Sequence, residues 1–139
     1  MSSARLYRVG SVLLVVYATL HSLGFRKVDP RWNADATVAA MKTTFEVQGA
    51  TRSYWDFFSG FGFFCTGLLL FCAILAWQFS ALPADMLHRL KPVRWAFGGC
   101  FAALAIVTWR YIFLAPTTFT VLVALVLLLA ARQGATVKA

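Results

Sequence analysis

Acidic residues are scarce in this chain. Five Asp and Glu stand against thirteen Lys and Arg, a formal charge of +8. Charged residues of every kind make up only 13% of the sequence, where an ordinary soluble domain carries about 25%. A chain so sparsely charged is not built chiefly to face water. Histidine is scarcer still, with only His21 and His88. They fall at opposite ends of the arrangement derived below, which argues against a haem held between two imidazoles. No His/Cys cluster has zinc-ligand spacing, so no metal and no cofactor is expected. Cys65, Cys72 and Cys100 contain no CxxC pair, so thiol–disulfide redox chemistry has no basis. Set inside apolar runs, they read as small buried hydrophobes. There is no GxSxG elbow and no Ser–His–Asp order. The glycine-rich SGFGFFCTG (59–67) follows no strand and is not a nucleotide loop.

Apolar length is what the chain has in abundance. Hydrophobic residues make up 60% of its 139 residues, and the segment 57–79 carries no charge. A membrane-spanning helix needs roughly 20 predominantly apolar residues, and four such spans can be placed, at about 7–25, 53–79, 93–114 and 116–131. One helix running from Trp95 to Ala131 would be about 55 Å long, well beyond a hydrocarbon core of about 30 Å. The chain must therefore turn back at APTT (115–118), with Pro116 in the first turn of the fourth helix. That leaves the fourth span short. At the N-terminus, TLHSLGF lacks the small-residue pattern of a cleavage site, so the first span is expected to be retained. The expected fold is all-α: one integral membrane domain over 1–139, a four-helix transmembrane bundle. An amphipathic loop helix is expected between spans one and two, with Asp35 as its cap and Val38, Met41 and Phe45 on one stripe.

The basic residues flank the apolar runs. Such flanks suit anionic headgroups and set topology. Nucleic acid is not an expected partner, because no basic stripe with interleaved aromatics occurs. With both termini cytoplasmic, Arg5, Arg8, Arg89, Lys91, Arg94, Arg132 and Lys138 lie inside; Arg26, Lys27, Arg31, Lys42, Arg52 and Arg110 lie on the other side. That count, seven against six, favours an integral membrane protein with cytoplasmic termini.

Four alternating spans carry the polar residues of several segments to one end. His21 closes span one, Arg52, Tyr54, Trp55 and Asp56 open span two, and Arg110 and Tyr111 close span three. Asp29, Asp35 and Glu46 lie in the loop above them, so four of the five acidic residues fall between 29 and 56. Arg52 and Asp56 are four apart and share a helix face. Arg110 sits about 6 Å below the hairpin at helical rise; an arginine at that depth snorkels or finds a carboxylate, with Asp56 and Glu46 as candidates. A polar pocket in one leaflet is expected, with Asp56, His21 and Glu46 as candidate acid–base residues. Arg52, Trp55, Arg110, Tyr111 and Tyr54 are the candidate ligand contacts. Small residues Gly60, Gly67, Gly98, Gly99 and Ala103 would allow close helix approach and a homo-oligomer.

The stretches HSLGF (21–25) and FEVQGATRSYWDFFSGFG (45–62) resemble a family of small, uncharacterised bacterial membrane proteins with four spans. The resemblance covers the first half of the chain and implies a four-helix membrane fold without implying an activity. The architecture is also similar, more loosely, to four-span sterol isomerase-type proteins. Two readings of function follow. One is a protein that binds membrane lipids or a lipophilic small molecule, or serves as an accessory or assembly subunit. The other is a membrane-embedded enzyme, isomerase- or cyclase-like, doing acid–base chemistry on an isoprenoid or sterol-like lipid.

Overall fold

The computed structural model describes residues 2–133, so Lys138 and its place among the basic flanks lie outside the described residues. Four helices are long and apolar enough to cross a membrane: α1 (Ser3–Gly24), α3 (Tyr54–Ala81), α5 (Lys91–Tyr111) and α6 (Leu114–Gln133). The protein is an all-α, four-helix transmembrane bundle, as its apolar runs require. Two short helices complete it, α2 (Asp35–Met41) and α4 (Ala84–Arg89), with one 3-10 turn at Pro30–Trp32.

The fourth span and the long loop differ from the sequence expectation. The return between α5 and α6 needs only Ile112 and Phe113, and α6 begins at Leu114 with Pro116 in its first turn. The fourth span is therefore not short: its 20 residues cover about 30 Å, a full hydrocarbon thickness. The loop helix ends at Met41, before Phe45. Asp35 is its first residue and Ala34 its cap. Thr44–Val47 and Ala50–Ser53 form an antiparallel hairpin, β1 and β2, with Thr44 opposite Ser53 and Val47 opposite Ala50. The turn places Gln48 at φ 50° and Gly49 at φ 77°. Two successive positive φ values make the type I′ turn that matches strand twist, and glycine accepts such a φ without strain.

The described residues fall into two compact units, one of residues up to Tyr17 together with Leu69 onward, the other Ala18–Leu68. The first unit holds the main apolar core. Leu6, Tyr7 and Leu14 of α1, Ala73, Ala76 and Phe79 of α3, Leu87 of α4, Phe101 of α5 and Val123, Ala124, Leu127 and Ala130 of α6 pack together there. A Cβ on Gly98 would lie 2.7 Å from Leu128 Cδ2, so α5 and α6 approach as closely as the small-residue argument requires. Gly60, Gly67 and Gly99 have open space where a Cβ would stand, and Ala103 is exposed, so these positions do not mediate packing within the chain. Cys65 and Cys100 are likewise exposed and Cys72 half-buried, rather than core hydrophobes.

α3 is the outlier in burial. Its 28 residues extend about 42 Å, and its most apolar window has a mean hydropathy of 2.1 yet is only 6% buried. Helices with that combination owe their apolar surface to lipid rather than to a protein core.

Candidate functional site

The candidate residues divide between the two units. His21, Glu46, Arg52, Tyr54, Trp55 and Asp56 belong to Ala18–Leu68, and Arg110 and Tyr111 to the other unit.

Asp56 is exposed and works at the start of α3. The Ser53 backbone N–H donates to Asp56 Oδ2 at 2.8 Å, and the Ser53 hydroxyl donates to the same oxygen at 2.8 Å. In return the Asp56 N–H donates to Ser53 Oγ at 3.2 Å. SYWD (53–56) is thus a reciprocal capping box, in which serine and carboxylate satisfy amides that the helix leaves without partners. A carboxylate in the first turn also complements the positive end of the helix. The expected pairing of Asp56 with Arg52 is not formed within this unit. Arg52 donates instead to the Thr51 carbonyl at 2.7 Å. The exposed Arg110 guanidinium lies 5.4 Å from the Tyr111 ring centroid, beside the exposed Trp109. This is the belt geometry of an interfacial arginine.

Glu46 is on β1 and exposed. It accepts from the hydroxyl of Thr51, its cross-strand partner. Phe45, Tyr54 and Phe57 form an aromatic cluster, with ring centroids 5.1 Å apart for Phe45–Tyr54 and 5.9 Å for Phe45–Phe57. Lys42 Nζ lies 5.4 Å from the Trp55 ring centroid. The one ion pair among the described residues joins Asp29 and Arg31 at the 3-10 turn. Its hydrogen bonds hold the Asp29 carboxyl below the usual carboxylate range.

His21 joins the end of α1 to α3. Its Nδ1 is 3.0 Å from Thr66 Oγ1, and the Thr66 hydroxyl donates to the Gly62 carbonyl at 3.1 Å. The imidazole tautomer sets which of the two groups donates. The imidazole stacks on Phe25 at 5.2 Å. Phe25 in turn meets Phe63 edge-on at 5.2 Å and Phe58 at 6.0 Å. Its ring covers Gly62, where a Cβ would fall 2.2 Å from Phe25 Cε2. The stretch 21–25 therefore docks against residues 58–66 of α3.

No family model, no curated protein and no solved structure matches the chain.

The most deeply placed polar side chain was not among the candidates. Arg94 is 1% exposed, so it is no headgroup-facing flank. Its Nε donates to Tyr7 Oη at 2.8 Å and its Nη1 to the Leu87 carbonyl at 3.0 Å. Its Nη2 reaches the Ala130 carbonyl at 2.6 Å, the Ala131 carbonyl at 3.2 Å and Ser3 Oγ at 3.3 Å. Ala130 and Ala131 lie in the last turn of α6, and Leu87 in the last turn of α4. Carbonyls at helix C-termini lack partners within their own helix and carry the negative end of the helix dipole. They replace a carboxylate as the counter-charge. Among the described residues no buried side-chain nitrogen or oxygen is left without a hydrogen bond, so this cation is fully accommodated.

The first unit also carries a groove of about 360 Å³ between α1 and α3, lined by Ser11, Val15, Leu70, Ala73, Ile74 and Trp77. None of the candidate residues lines it. The Ser11 hydroxyl donates to the Ala73 carbonyl at 2.8 Å, which leaves the groove apolar. Its size is near the lower end of ligand pockets, about 300 Å³.

Proposed function

We propose that this is an integral membrane protein that binds a lipophilic ligand and performs no acid–base chemistry on it. The observation that carries this reading is the engagement of Asp56. Its carboxylate faces Ser53 in a capping box, a task of helix termination. A catalytic acid or base must reach the proton it transfers. Glu46 is engaged in a cross-strand contact of the same local kind. The apolar groove of the first unit supports ligand binding, as does the exposed apolar length of α3.

The test is mass spectrometry of the lipophilic species that copurify with the wild type and with Asp56→Asn. Asparagine keeps a side-chain oxygen at the cap and removes the acid. The expected result is the same set of bound species from both proteins. Accumulation of a chemically different species in the variant would convert Asp56 into a catalytic residue. Recovery of no bound species from either protein would overturn ligand binding.

We further propose a bacterial inner membrane, which the resemblance of stretches 21–25 and 45–62 implies, and cytoplasmic termini, on the strength of Arg5, Arg8, Arg89, Lys91 and Arg132 near the connected ends. Alkaline phosphatase fused to the C-terminus, which is active only after export, is expected to stay silent. An active fusion reverses the orientation.

A further inference from the structure

The groove between α1 and α3 has a charged rim. Arg8 stands one helical turn before Ser11, and its guanidinium lies 5.8 Å from the Trp77 ring centroid. The groove therefore runs from an apolar floor at Leu70, Ala73 and Val15 to a tryptophan and an exposed arginine at its end. Trp77 is 52% exposed and takes the position of an interfacial anchor. Arg8 belongs to no ion pair among the described residues.

The electrostatic setting is one-sided. Within residues 2–17 and 69–133, Asp85 is the sole carboxylate side chain, against Arg5, Arg8, Arg89, Lys91, Arg94, Arg110 and Arg132. Of these, Arg94 is turned inward on its carbonyls, while Arg8 is exposed at the groove. A cation without a carboxylate, above an apolar channel open to the bilayer, calls for an anionic head on an apolar tail. The floor offers nothing polar to hold water, since Ser11 is already bonded to Ala73. An open apolar groove with so little polar lining gives ordered water too few partners and suits hydrocarbon.

We propose that this groove is a docking site for one anionic glycerophospholipid of the membrane. One acyl chain lies against Val15, Leu70 and Ile74, and the phosphate is held by Arg8 beside Trp77. This deepens the reading of the protein as a binder of lipophilic ligands and rests on it.

The test uses the full chain in detergent micelles doped with brominated phosphatidylglycerol or brominated phosphatidylcholine. Bromine on the acyl chain quenches a tryptophan that it touches. Subtracting the emission of Trp77→Phe from that of the wild type isolates Trp77 from the other tryptophans. Half-quenching of the Trp77 signal is expected at about a fivefold lower mole fraction of phosphatidylglycerol than of phosphatidylcholine, the value of one basic side chain at an anionic surface. Arg8→Gln is expected to bring the two lipids level, and Arg8→Lys to keep the preference. Arg8 is exposed and makes no buried contact, so the lysine variant tests the idea even if the glutamine variant proves hard to purify. Equal quenching by both lipids in the wild type would mean ordinary annular contact and overturn the proposal. So would absence of quenching together with a dimer crosslinked through this face, which would give the groove to a second copy of the chain. If lipophilic species copurify but no such preference appears, the groove assignment fails alone. If none copurify, the broader reading fails with it.

Discussion

Exchanging Arg94 for leucine is expected to lower the stability of the bundle by about 3 kcal/mol or more, the largest loss of any single substitution at a charged residue. Leucine fills much of the space but donates nothing. Tyr7 Oη and the carbonyls of Leu87, Ala130 and Ala131 would all lose the donor they now share. Leaving a buried polar group without its partner costs about 1–3 kcal/mol, and water does not reach this site to compensate. Arg94→Lys keeps the charge but replaces a planar fork with a point cation, and a single ammonium cannot serve α1, α4 and α6 at once. It should fall between leucine and wild type. Tyr7→Phe removes one acceptor and should cost about 1 kcal/mol. The measurement is thermal or denaturant unfolding in a fixed detergent. The order Leu, Lys, Phe in decreasing severity is expected. A leucine variant as stable as the wild type would show that the carbonyls find other donors and that Arg94 does not hold the helices.

The second large effect is steric. A methyl group on Gly62 would enter the Phe25 ring, with Cδ2 at 2.4 Å and Cζ at 2.6 Å from the new carbon. The ring is not a loose end: it lies against His21, Phe58 and Phe63, and the Arg26 guanidinium sits 5.7 Å from its centroid. Gly62→Ala is expected to destabilise by about 1–3 kcal/mol, the range for overpacking. Pairing it with Phe25→Ala removes the obstacle, so the double variant should be more stable than the sum of the two single losses by about 1 kcal/mol or more. Additive losses across that cycle would mean the two residues do not meet. The same clash would disturb the contact of His21 with Thr66, because the imidazole stacks on the ring that the methyl displaces.

The spans were legible because a bilayer imposes a length on apolar runs, and no other element of the chain approaches that length. The hairpin escaped because its strands are only four residues each, and Val38, Met41 and Phe45 also fit a helical stripe. The available signal was QG directly after the alternating TFEV (44–47), a two-residue turn that needs positive φ twice. At Asp56 two spacings competed. Arg52 four residues before it suggests an ion pair; Ser53 three residues before it is a capping box. The cap forms because the backbone amides of a helix start have no alternative partner, whereas both charged groups have water. Arg94 had no signature to read. Its acceptors are mostly main-chain carbonyls at the ends of α4 and α6, and every residue type has a carbonyl. Only the placement of those helix ends turns a flanking arginine into an interior one.

The contacts of that arginine also order events in time. During synthesis α5 is complete before Ala130 and Ala131 leave the ribosome. Until then the guanidinium has Tyr7, Ser3 and Leu87 within its reach and an unmet demand for anionic density. The segment that answers it is the final turn of α6. A nascent chain halted a few residues early would carry every span except its closing turn, and the cation would still be seeking water at the membrane surface.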